Sequence, residues 1–207
     1  MEKATRELYE TSDDIIYLTY TGTKLGWKNL KPQSIHRILY LSKILYFFLH
    51  KSDDNVMAYY HFSTENKPGP VSAIIEKALD FLESIQFIHV DSSVNLNTEK
   101  SKDRIDRILN SQINKNKFNW LKVIMLILSK YGENKVFSFT INDPQYIESS
   151  SSNSPKEITF NIEENKTLEV LNNFKEAFEE SIDDTSSISK EEYLDLYFEY
   201  IFSEIIK

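Results

Sequence analysis

KPGPVSAIIEKALDFLESIQFIHVDSSVNL, residues 67–96, changes its apolar period halfway along. Gly69-Pro70 offers a helix start, because proline at the first helical position loses no hydrogen bond and has its φ already set. Val71, Ile74, Ile75, Ala78, Leu79, Leu82 and Ile85 then recur at helical spacing, one stripe of about four turns. Gln86 stands at the C-terminal position of that helix, where a glycine is expected. Phe87, Ile88 and Val90 run into Asp91-Ser92-Ser93, and Val94 and Leu96 alternate with asparagines, which predicts a short β-hairpin.

Helix followed directly by hairpin reads as a winged helix. N-terminal to it, Ile15 to Tyr20 is β-branched and aromatic and predicts a strand. Pro32 starts a helix reaching His50, whose apolar arc (Ile35, Ile38, Leu39, Leu45, Phe48, with Leu41, Ile44 and Phe47 adjoining) is broad enough to be packed from more than one side. It is expected to be central. After the hairpin, Ser101 is a candidate cap for a helix bearing Ile105, Ile108, Leu109 and Ile113, and residues 118–131 form another, closed by Gly132. Residues 136–141 and 158–162 alternate and predict a strand pair, separated by the serine-rich run 148–157, which is expected to be a mobile loop. Two helices finish the chain, the second with a capping box at Ser189 and Glu192. The fold class expected is therefore mostly α with small β-hairpins (α+β). It divides into a winged-helix unit with an N-terminal extension over 1–98, and a helical, winged-helix-like unit with a helix pair over 99–207.

The chain has 207 residues with 13 Phe and 12 Tyr, enough aromatic volume for a sizeable core. It has no cysteine, which removes disulfides, thiolate zinc sites and a cysteine nucleophile and suits a reducing cytoplasm. The first residues are charged rather than apolar, so no secretion signal is expected. The longest apolar runs are far below the ~20 residues that span a bilayer, so no membrane partner is expected.

Net charge is -8, but it is unevenly spread. Residues 100–130 hold eight basic side chains (Lys100, Lys102, Arg104, Arg107, Lys115, Lys117, Lys122, Lys130) against two acids, while residues 131–207 hold six lysines against 17 acids. The first six of those cations are candidates for contact with a DNA backbone or a partner. The outer face of the 70–85 helix carries Glu76, Asp80 and Glu83 against Lys77. A helix so charged is poorly suited to a DNA groove, and its acids are candidate partner contacts, as are Phe198 and Phe202, which lie off the main stripe of the last helix.

The four histidines (His36, His50, His61, His89) lack metal-ligand spacing, and four glycines leave no phosphate-binding loop. No catalytic residue, metal site or cofactor is expected. One enzyme pattern is present: Asp143 with Glu164 and Lys166 has the Asp…Glu-x-Lys order of magnesium nucleases, although Asp143 is more simply a turn residue before proline.

ILYLSKILYFFLH at 38–50, the Gly-Pro-Val-Ser helix ending in FLESIQFI, and WLKVIMLILSKYGENKVFSFTINDPQY at 120–146 together resemble the small middle component of ABC-three-component systems, a group that includes the small subunit of Lamassu-type antiphage defence complexes. The resemblance covers roughly residues 32–146. It implies a cytoplasmic, noncatalytic winged-helix subunit bridging an SMC- or Rad50-like ATPase and an effector, often a nuclease, with DNA contacted only indirectly or nonspecifically. The Gly-Pro-Val-Ser helix also looks like the Panacea antitoxin domain, which implies a toxin-neutralising regulator.

Overall fold

The computed structural model describes residues 3–27, 30–50, 56–65, 68–151, 154–161, 163–181, 188–201 and 203. In chain order they form α1 (Lys3–Lys24), α2 (Pro32–His50), β1 (Ser63–Thr64), β2 (Pro70–Val71), α3 (Ala73–Ser84), β3 (Ile88–Val90), β4 (Val94–Leu96), α4 (Thr98–Leu109), α5 (Lys115–Ile141), α6 (Pro144–Ser150), β5 (Lys156–Glu157), α7 (Lys166–Ser181) and α8 (Lys190–Tyr200). The fold is mostly α with small antiparallel strand pairs, an α+β arrangement as expected.

Helix α3 and its hairpin form where the change of period places them. Ile75, Ala78, Leu79 and Leu82 are the buried stripe, and β3 pairs with β4 in the register Ile88↔Leu96, His89↔Asn95, Val90↔Val94. The start differs. Pro70 lies in β2, paired with Thr64 of β1, and the helix begins after Ser72, whose backbone is extended. At the other end Gln86 adopts φ 62, its N–H donating to the Glu83 carbonyl and that of Phe87 to Leu82, both at 2.9 Å. This is a Schellman cap with glutamine in the left-handed position.

α2 is central, as its broad apolar arc implies. Ile35, Ile38, Leu39, Tyr40, Leu41, Ile44, Leu45 and Phe48 are all buried, and α3, α5, α7 and β2 pack around it. One hydrophobic cluster runs from Ile15 to Ile201.

Two strand expectations are overturned. Residues 15–20 lie inside α1, because Ile15, Ile16, Tyr17 and Leu18 are enclosed on all sides by α3, α4, α5 and β4, and enclosure outweighs β propensity. Residues 136–141 are the second arm of α5, beyond a break at Gly132 (φ 75, ψ 174), with Val136, Phe139 and Thr140 buried at i, i+3 and i+4. The glycine does end the first arm in a left-handed conformation, and a second helix, not a strand, follows it. β5 consequently pairs with β1 (Ser63↔Glu157, Thr64↔Lys156), giving the order β2-β1-β5. Residues 158–161 form no strand, and Ile162 lies outside the described residues.

Three smaller corrections follow. α4 is capped by Asn97, whose side chain accepts from Lys100 N, rather than by Ser101. Part of the serine-rich run is helix α6, with Ser149 on its buried face. Phe198 is fully buried, with its ring 5.3 Å from that of Phe139, so it belongs to the core and not to a partner surface. Phe202 lies outside the described residues. The capping box of α8 forms as read, Glu192 N donating to Ser189 Oγ and Ser189 N to Glu192. Among the described residues, no helix is long and apolar enough to cross a membrane.

Candidate functional site

The first turn of α2 and the outer face of α3 meet across the β2 segment. Arg37 sits at the base of this meeting with its side chain 7% exposed. Its Nη1 donates to Glu133 Oε1 at 2.8 Å, its Nη2 reaches the Pro68 carbonyl at 3.4 Å, and its guanidinium lies 4.6 Å from the centroid of Phe137. Burial lowers its pKa, partly offset by Glu133. Gly69, at φ 110, passes directly over the guanidinium, and a Cβ there would stand 3.4 Å from Nε. Beside it His36 Nδ1 accepts from Ser72 N at 3.0 Å, so the histidine of α2 holds the start of α3 in place.

Glu76, Asp80 and Glu83 follow one another along α3 and, with Leu79, Val90 and Gln33, border a groove of about 360 Å³ above Arg37. Glu83 Oε1 accepts from Val90 N at 3.0 Å and lies 3.7 Å from His89 Nδ1, which ties the hairpin to the helix. Because Glu133 already neutralises Arg37, the three carboxylates leave the groove acidic. The three acids singled out from the sequence are thus brought together. Arg37 and His36, which support them, were not singled out; the partner of Arg37 is 96 positions away.

The six candidate cations are dispersed. Lys117 is turned inward: its side chain is 5% exposed and its Nζ lies 2.8 Å from Asp14 Oδ1, itself fully buried. Asp14 Oδ2 also accepts from Tyr59 OH at 2.7 Å and Tyr60 OH at 2.8 Å. Arg104 grips Asp13 in a two-pronged pair at 2.5 and 2.7 Å, against which burial raises the Asp13 pKa. Lys100 donates to Gln86. Lys102, Arg107 and Lys115 remain exposed, but on α4 Lys102 and Arg107 alternate with exposed Glu99, Asp103 and Asp106, and Lys115 lies apart at the start of α5. A continuous basic face does not form there, and Lys117 is unavailable to any ligand.

No known protein-family model, curated protein or solved structure matches this chain.

The nuclease pattern does not assemble. Asp143 is 2% exposed and its oxygens accept from Tyr40 OH (2.6 Å), Thr167 Oγ1 (2.6 Å) and Tyr146 N (2.9 Å), so it caps α6 and ties α2 to α7. Burial raises its pKa in spite of those donors. Glu164 is exposed, and Lys166 pairs with Glu169 at 3.0 Å. The histidines are likewise apart: His61 lies 3.1 Å from Glu157 and His50 bonds the Tyr46 carbonyl. Among the described residues, no group of three or more His, Cys, Asp or Glu is placed to hold a metal ion.

Proposed function

We propose that this chain is a noncatalytic assembly subunit of the winged-helix kind, in which α3 and the β3–β4 hairpin form the wing-bearing unit and the acidic groove receives a basic segment of a partner protein. The observation that carries the reading is the convergence of Glu76, Asp80 and Glu83 on one groove. A carboxylate-lined helix face repels phosphate and attracts lysine or arginine, so a protein fits it better than nucleic acid does. Taken with the resemblance of residues 32–146, the partners are an SMC- or Rad50-like ATPase and an effector, often a nuclease, in a cytoplasmic antiphage complex. ATP hydrolysis and cleavage belong to those chains.

The test is affinity purification of the tagged chain expressed from its native operon, beside the E76K/D80K variant. Wild type should recover a large ATPase subunit in stoichiometric amount, and the variant should lose it while remaining folded. Recovery of the chain with no ATPase removes the assembly reading. Recovery with a small toxin instead supports the second reading, a Panacea-like antitoxin, to which the Gly69-Pro70-Val71-Ser72 stretch points.

A further inference from the structure

About 20 Å along α2 from the acidic groove, at the C-terminal end of that helix, a second concave site lies against the start of α5. It encloses about 270 Å³ between Tyr46, Leu49 and His50 on α2 and Asn116, Asn119, Trp120 and Val123 on α5. Its aromatic side chains are ordered relative to one another. The Tyr46 and His50 rings stack, with centroids 4.0 Å apart and planes 17° from parallel. Trp120 stands across both, each centroid 5.6 Å away, at 81° to Tyr46 and 88° to His50. The indole is 6% exposed and its N–H donates to the Ser42 carbonyl at 2.9 Å, so the wall it forms is fixed. His50 Nδ1 lies 3.2 Å from the Tyr46 carbonyl, which sets the orientation of the imidazole.

The rim differs in character. Asn116 and Asn119 are exposed, and among the described residues neither amide is hydrogen-bonded. Lys115 and Lys122 are exposed at i-4 and i+3 from Asn119, which places them on the same face of α5. Among the described residues, the lining contains no carboxylate. Among the described residues a cation seeking the aromatic rings would therefore meet lysines and no carboxylate, and a purely apolar side chain would leave two amides unmatched.

We propose that this pocket binds a nucleotide, its base laid parallel to the Tyr46–His50 stack with an edge toward Trp120 and the two amides. A planar base continues a stack of rings at van der Waals separation, and every base has a π-face to offer. Each asparagine supplies both donors and an acceptor, the groups that pair with a base edge. Lys115 and Lys122 hold the phosphate. The same chemistry is presented by a free mononucleotide and by a single-stranded nucleic acid, and this site is independent of the acidic groove.

The experiment uses the full chain, titrated separately with the four ribonucleoside monophosphates and with a fluorescent eight-nucleotide single strand, while tryptophan emission is followed. Saturable binding of at least one probe is expected, with emission quenched through Trp120 and the quench lost in W120F. N116A/N119A, which alters only exposed amides, should weaken that binding about tenfold or more. K115A/K122A should weaken it and flatten its salt dependence. Binding confined to the monophosphates identifies a small-molecule site, and tighter binding of the oligonucleotide identifies a strand. Absence of saturable binding of every probe up to millimolar concentration, or binding that N116A/N119A leaves unchanged, overturns the proposal.

Discussion

Lys117 Nζ lies 2.8 Å from Asp14 Oδ1, and the two side chains are 5% and 0% exposed. The pair joins the first turns of α5 to the middle of α1, while Tyr59 and Tyr60 bring the segment before β1 to the same carboxylate. Removing either ion leaves the other buried without its counter-charge, and the two tyrosine hydroxyls replace it only in part. Lys117→Ala is therefore expected to cost about 3–5 kcal/mol, far more than loss of an exposed lysine. Urea denaturation of Lys117→Ala beside Lys102→Ala measures the contrast; equal effects of the two would show that the Asp14 pair carries no special weight.

Gln86 occupies a left-handed position that glycine takes without a Cβ penalty. Its side chain accepts from Lys100 at the surface, a contact of small value once solvent competes. Relief of the backbone strain should outweigh both that loss and the extra freedom glycine brings to the unfolded chain. Gln86→Gly is expected to stabilise the protein by about 0.5–1 kcal/mol, seen as a higher urea midpoint with an unchanged slope. A lower midpoint would mean that the Lys100 contact, not the backbone, decides the position.

The α3 stripe, the hairpin, the Ser189–Glu192 box and the break at Gly132 were legible because each is a local signal, fixed by residues within a few positions of one another. Residues 136–141 failed for a physical reason. The segment satisfies alternation and i, i+3, i+4 spacing together, and only packing against the core selects the helix. Residues 15–18 failed differently, since four adjacent buried side chains carry no period at all. At the site, the three acids were legible as one helix face. The inward turn of Lys117 was not, because its partner lies at the far end of the sequence and charge counts do not distinguish a solvated lysine from a paired one.

Tyr40 OH donates to Asp143 at 2.6 Å in the interior. Tyr40→Phe removes one of the donors that keep this buried carboxylate charged, and a hydrogen bond to a charged group contributes about 1.5–3 kcal/mol. The pH dependence has a definite sign. The folded pKa of Asp143 is already raised by burial, and losing the hydroxyl raises it further. A carboxyl whose folded pKa is raised gains stability as pH falls through that pKa toward its unfolded value. The deficit of Tyr40→Phe should thus be largest at neutral pH and shrink as pH falls through the folded pKa of Asp143. Thermal melts over a series of falling pH values decide it, and a deficit that grows on acidification contradicts the assignment.

Lys43 gives the clearest titration. It is 5% exposed, and its ammonium donates to the Ala58 carbonyl at 3.2 Å and to that of Tyr60, and lies 4.2 Å from the Phe160 centroid. Carbonyl dipoles and a ring face replace water incompletely, so burial lowers the pKa from 10.5 to about 8, with Glu157 opposing the shift. Because the folded pKa is the lower one, the charged form costs stability. That cost is full below pH 8 and is relieved as pH rises toward 10.5, where the unfolded lysine also loses its proton. Between pH 7.5 and 9.5 the folded protein should gain about 2 kcal/mol from this group. The window closes near pH 10, because Tyr40, Tyr59 and Tyr60 have pKa values raised by burial and their ionisation favours the unfolded chain. Lys43→Met keeps the aliphatic volume and removes the titration, so its stability should be flatter than wild type over the same interval. Parallel urea profiles for the two proteins from pH 7.5 to 9.5 would place the Lys43 ammonium in contact with water after all.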